Sequence, residues 1–246
     1  MEMKYELLKE NFKDILGRRV YQIYQIRALK DFGDIKKGDL GGWIEKESNL
    51  SQEGNCWVSG DAQIYDNARV FDNACVSGDV QVFDNAWVYG NAKVYEDAWI
   101  LGNACVSDDA RVFDNACVYG NVCVSGNARV YGNASVYGNA RVYGGAWVYG
   151  NAQISDDAHV SGDAKVSGDA RISKSVHITK TSDYIIIGPI GSRNAFLTII
   201  KKDNYVATGC LGGTKEEFLV QLERTHGDNV YGIRYKIVVE MIFSLE

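Results

Sequence analysis

Ala128-Arg129-Val130-Tyr131-Gly132-Asn133 is one unit of a run in which Val or Ile returns at every sixth position from Val58 to Ile178, through 21 hexads without a slip. Alanine stands two residues before the aliphatic position in 17 of them. Residues i and i+2 of a strand share a face, so both point inward and the residue between them points out. A second outward residue follows, and then a corner, usually Gly or Asp followed by Asn or Asp. These types tolerate positive φ, so each hexad reads as one short strand and one bend. Beta-branched residues inside, with alanine near the corners, leave no room for a ligand within.

The hexad resembles the hexapeptide repeat of left-handed parallel β-helices, and the match spans about half the chain. In that family three hexads make one triangular coil, so residues 18 apart stack, and 21 hexads imply about seven coils. At the usual strand spacing the prism would be roughly 34 Å long. The fold class expected is mainly β: a left-handed parallel β-helix with an N-terminal cap (1–57) and a small C-terminal α+β domain (183–246) flanking the repeat (58–182).

Stacking at 18 residues sorts the outward side chains into three faces. The first carries Trp57, Cys75, Lys93, Arg111, Arg129, Trp147 and Lys165, the second Gln63, Gln81, Trp99, Cys117, Ser135, Gln153 and Arg171, and the third Arg69, Trp87, Cys105, Cys123, Arg141, His159 and His177. Beside each row runs a second one in which aromatics give way to serine in the later coils, as in Tyr119, Tyr137, Ser155 and Ser173 on the second face. Stacked aromatics support a parallel sheet, and exposed stripes of this length invite a partner. Self-association into a homo-oligomer, with a trimer among the options, is the expectation.

The flanks do not follow the hexad. Residues 1–57 hold 10 acids and 10 bases, and Arg19 to Leu29 alternates as one or two strands. Their expected task is to cover the open edge of the first coil, as repeat proteins require. After Ser182, Tyr184-Ile185-Ile186-Ile187 reads as a strand, and Phe196–Ile200 with Tyr205–Cys210 as a hairpin. Thr214 and Glu217 are spaced as a capping box opening a helix that Gly227 closes. A last helix over about 229–244 presents Ile233, Ile237, Val238 and Met241 on one side.

Composition narrows the function. The net charge of −6 sits mostly in the repeat, with 14 acids against 9 bases over 58–182, which disfavours general nucleic-acid binding. No apolar run suggests a membrane span or secretory leader, so the expected location is the cytosol, the host's if the chain is phage-encoded. Six cysteines without a CxxC pair read as free thiols, not as a zinc site. No motif calls for a cofactor, and the corner acids Asp61, Asp79 and Asp97 read as a screened surface row instead of a metal site.

Hexapeptide-repeat proteins are best known as acyltransferases using acetyl-CoA or acyl carrier protein, with a histidine base near a loop that interrupts the coils. No such loop occurs here. His159 and His177, 18 apart on the third face, are the weak catalytic candidates. The set Ser192, Arg193, Asn194, Thr214 and Lys215 offers hydroxyls, cations and a helix N-terminus suited to a phosphate or carboxylate.

The run Leu29 to Ile44, with Leu50 to Val58, and the tail from Ile187 through Gly209-Cys210 to Asn229, are similar to uncharacterised bacterial and phage or prophage β-helix proteins. Some of these are labelled transferases or polymer-forming proteins on fold alone. The resemblance implies a non-enzymatic oligomeric binding protein of phage or mobile-element type that sequesters a small anionic, nucleotide-like ligand, in the way an anti-defence protein counters host immune signalling. A structural scaffold or adhesin, and an acyltransferase, are the alternatives.

Overall fold

The computed structural model describes residues 2–16, 20–191, 194–209 and 211–245. Twenty-one short strands, β4 to β24, run from Trp57–Val58 to His177–Ile178 and coincide with the hexads. They form three parallel sheets in which each residue pairs with the one 18 positions on, as in Trp57↔Cys75, Gln63↔Gln81 and Arg69↔Trp87. The aliphatic residues and the alanines before them are fully or almost fully buried and form one continuous core. The protein is a parallel β-solenoid of about eight turns. The turn additional to the seven hexad coils starts at β3 (Leu40–Ile44), which pairs in parallel with Gln63–Ile64, and continues through Leu50, bridged to Val70.

The corners explain the alternation of Gly with Asp. Corner residues sit at positive φ, whether Gly120 at +88° or Asp72 at +61°. A Cβ at Gly120 would meet the carbonyl oxygen of Gly138 at 2.7 Å. Where an acid occupies the corner, its carboxylate accepts the backbone N–H of the corner one coil on: Asp72 from Gly90 at 3.1 Å, Asp108 from Gly126 at 2.9 Å and Asp114 from Gly132 at 2.9 Å. That bond offsets part of the strain a side chain suffers there. The following asparagines form their own ladder, from Asn67 through Asn85, Asn103, Asn121 and Asn139 to Asp157.

The bonds that link the coils outside the strand pairs have a direction along the axis. Flanking and outward N–H groups donate to carbonyls of the next coil, as Trp57 does to Ala74 and Ser59 to Val76. For this set of bonds the N-terminal end is left with carbonyls in need of donors and the C-terminal end with N–H groups in need of acceptors. The N-terminal segment brings donors. The Lys4 ammonium, on β-hairpin β1 (Tyr5–Leu16) and β2 (Val20–Ala28)'s leading edge, reaches the carbonyls of Cys56 at 3.0 Å, Glu53 at 3.2 Å and Gly54 at 3.4 Å. Burial lowers its pKa, while the carbonyl cage supplies the hydrogen bonds an almost fully buried ammonium requires. The Tyr5 hydroxyl donates to the Leu50 carbonyl at 2.6 Å.

The C-terminal segment brings acceptors. Thr181 Oγ1 accepts from Lys165 N at 3.0 Å, the Tyr184 hydroxyl from Ser167 N at 3.2 Å, Thr198 Oγ1 from Arg171 N at 3.0 Å and Asp203 from His177 N at 3.2 Å. Burial opposes ionisation of Asp183, yet the Lys202 ammonium, the Thr179 and Lys180 N–H groups and the Thr179 hydroxyl together hold its carboxyl well below the usual range. Thr198 belongs to a four-stranded antiparallel sheet, β25 (Ile185–Ile190), β26 (Ala195–Ile200), β27 (Tyr205–Thr208) and β28 (Leu211–Thr214), backed by α1 (Lys215–His226) and α2 (Val230–Ser244); the other residues stand just before the sheet or in the turn between β26 and β27. Its own core gathers Leu197, Ile199, Val206, Phe218, Leu222, Tyr235, Val239 and Ile242.

The apolar side picked out in the last helix is for the most part not the side that it buries. Tyr235, Val239 and Ile242 face the sheet, whereas Ile233, Ile237 and Met241 are exposed. The sequence pattern could not decide because α2 carries apolar residues on both sides. No helix among the described residues is long and apolar enough to cross a membrane.

Thr198 is fully buried, so Thr198→Val should keep the shape of the site and strand the Arg171 N–H without an acceptor. The expected loss is about 1–3 kcal/mol, read as a lower urea midpoint at unchanged m-value.

Candidate functional site

Where the solenoid meets the C-terminal sheet, the second face ends in a seam. Tyr119 and Tyr137 stack face to face at 5.1 Å, and the next two rungs are Ser155 and Ser173. The aromatic ladder therefore stops below a gap. Tyr205 of β27 roofs it, its hydroxyl 2.7 Å from Ser173 Oγ. Burial raises the pKa of that phenol, so it stays neutral and able to donate at neutral pH. Tyr137, Gln153, Ser155, Arg171, Ser173, Tyr205 and Gly212 line a hollow of about 280 Å³.

Arg171, on β23 (Arg171–Ile172), is the cation of this seam. Its guanidinium donates to Gln153 Oε1 at 2.9 Å and forms no ion pair with any described residue. On its other side, Asp169, Asn194, Ala195, Phe196 and Gly209 line a second hollow of about 230 Å³, which shares Arg171 and Gly209 with the first. The seam thus combines one unneutralised guanidinium, several hydroxyls and the terminal ring of a stack. Such a set can hold an anionic group and a planar one side by side.

The residues singled out from the sequence are placed apart. Ser192 and Arg193 lie outside the described residues. Asn194, at positive φ in the turn after β25, lines the second hollow. Thr214 and Lys215 stand at the opposite end of the sheet, because Ile200, Tyr205 and Thr214 share one row and Asn194 precedes that row by six residues, roughly 20 Å. Their polar groups have other work. Thr214 Oγ1 accepts from Glu217 N at 3.2 Å while Glu217 returns a bond to Thr214 N, and the Lys215 ammonium lies 5.2 Å from the Phe243 ring centroid. With Glu216 and Glu217 in its first turn, the start of α1 is already supplied with negative charge. Among the described members of the set, Asn194 stands apart from Thr214 and Lys215.

His159 and His177 do meet, their rings stacked at 4.7 Å and 12°, with Tyr143 edge-on to His159 at 6.2 Å. No carboxylate among the described residues hydrogen-bonds either imidazole, so nothing fixes a tautomer for proton transfer. Partial burial, His177 and Arg141 lower the His159 pKa, in that order. Asp61, named among the corner acids, is tied to Lys13 at 2.9 Å and to the Trp43 indole at 3.3 Å. Among the described residues no group of three potential ligands is arranged for a metal. Cys56, Cys75, Cys105, Cys117 and Cys123 are free thiols.

The repeat family described as YdcK Beta solenoid repeat matches residues 62–78, 124–137 and 134–150. The chain is a β-helix repeat protein. It is similar to a protein of Escherichia coli (strain K12) described as "Uncharacterized acetyltransferase YdcK", with 39% identity over an alignment of 59 residues that covers 22% of this chain. The chain spans only 18% of the length of that relative. The family match includes Tyr137 but stops short of Gln153, Arg171 and the C-terminal sheet.

A lowered folded-state pKa for His159 means that the unfolded chain binds more protons below the ordinary value of about 6.5. The contribution of this group to stability is complete above that pH and is lost as pH falls through the folded value. An NMR titration should place His159 below 6.5, and His159→Gln should flatten the fall in melting temperature on acidification.

Proposed function

We propose that the chain is a non-enzymatic binding protein that holds a small anionic, nucleotide-like ligand at the seam between the last coil and the C-terminal sheet. The reading rests on Arg171, a guanidinium without a carboxylate partner in a polar hollow beside the open end of the Tyr119–Tyr137 stack. A phosphate would take the guanidinium in a forked pair, with the Ser155, Ser173 and Tyr205 hydroxyls nearby. A planar base would extend the ring stack into the rung that Ser155 leaves short, a contact worth about 1–3 kcal/mol. Isothermal titration calorimetry against a panel of mono- and dinucleotides tests this. Arg171→Ala should weaken binding by about tenfold or more and Tyr137→Ala should weaken purine ligands most. Absence of nucleotide binding by the wild-type chain, or binding indifferent to Arg171→Ala, removes the reading.

A second reading is acyl transfer, favoured by the description of the E. coli relative together with the His159–His177 stack. Here His159, kept neutral by its surroundings, would be the base. It requires acetyl-CoA turnover that disappears in His159→Ala and is untouched by Arg171→Ala.

A further inference from the structure

We propose that α2 is a self-association face, on which a second copy of this chain docks by an antiparallel two-fold pairing centred on Ile237. The helix is apolar on two opposite sides. One side, Tyr235, Val239 and Ile242, is spent on the core of the C-terminal domain. The other is open: Val230 is 53% exposed, Ile233 46%, Ile237 58% and Met241 49%, with Leu245 just past the helix at 56%. Spacings of three, four and four residues set the first four of these on one stripe, about 17 Å long. Five of the fifteen large exposed hydrophobics among the described residues fall here, on one helix and its cap. A stripe concentrated in this way on a helix is the mark of an interface.

The flanking charges indicate which occupant fits. Arg234 precedes Ile237 by three residues and Glu240 follows it by three; both are exposed, and neither forms an ion pair among the described residues. In a two-fold antiparallel pair the residue at 237−k lies level with the one at 237+k of the other copy. Ile237 then meets its own counterpart, Ile233 comes near the partner's Met241, and Val230 near the partner's Ser244. At the shallow crossing of about 20° common to paired helices, Arg234 is brought toward the partner's Glu240, and symmetry makes that contact twice. A helix carrying its cation and anion in this mirrored order is complementary to itself. The face lies on α2, away from the seam residues, so the pairing does not depend on ligand binding.

Sedimentation velocity of the full chain over a wide range of concentrations provides the test. A dimer that dissociates on dilution is expected. Ile237→Asp should leave a monomer with an unchanged far-UV circular dichroism spectrum, since the residue is exposed. Arg234→Glu should weaken association by about tenfold, and adding Glu240→Arg to the same chain should restore it. A chain that stays monomeric at every concentration overturns the proposal. So does a dimer indifferent to Ile237→Asp, or a charge reversal that the second reversal fails to rescue. Monomers that float with anionic vesicles through an interaction abolished by Ile237→Asp would also overturn it, assigning the stripe to a lipid surface instead.

Discussion

Outside the strand pairs, the bonds between coils run from an N–H to a carbonyl of the next coil, so the two ends of the prism leave different sets of these groups to be satisfied. Buried backbone groups left unpaired are costly, and neither end can be finished by adding more of the repeat. The two flanking segments answer that asymmetry with opposite inventories. The N-terminal one inserts an ammonium and a phenol hydroxyl as donors, and the C-terminal one presents threonine, tyrosine and aspartate oxygens as acceptors. Covering the edges in this way also prevents end-to-end addition of further strands.

The seam is a by-product of how the C-terminal cap is made. A sheet that continued the ladder would have filled the space above Tyr137 with another rung. Side-chain acceptors reach the last coil with less bulk, and serines at the last two positions of the second face thin the surface further. The result is a hollow walled by the repeat and roofed by the cap, with Arg171 held in place by its backbone bond to Thr198 and its side-chain bond to Gln153. The interior of the prism, by contrast, is filled with valine, isoleucine and alanine and offers chemistry nothing to hold.

Much of the architecture could be read from Val58 to Ile178 because the information is local and repeated. A six-residue period with a beta-branched residue inside and a tight corner marks each strand and bend, the resemblance to hexapeptide-repeat proteins implies the triangular cross-section, and repetition averages away any single exception. The site was less legible. Thr214 looked like an anion ligand because a hydroxyl before a lysine at a helix start has that form, but its partner was Glu217, three residues away, and the cap consumed it. Arg171 looked like one more outward residue of the second face. The change from Tyr137 to Ser155 and Ser173 was a visible signal, yet its meaning depended on Tyr205, which is 32 residues beyond Ser173.

The sequence by itself determined the strand-and-corner unit and which side chains of the repeat point inward, since these follow from steric limits within a few residues of chain, and the 18-residue register came with the resemblance to hexapeptide-repeat proteins. Only the tertiary structure decided that the first turn begins at β3 and that Lys4 caps Cys56. It alone placed Arg171 in the notch beneath the C-terminal sheet and showed which side of α2 stays open. These depend on groups far apart in the chain, and no period in the sequence records the unpaired donors and acceptors that draw them together.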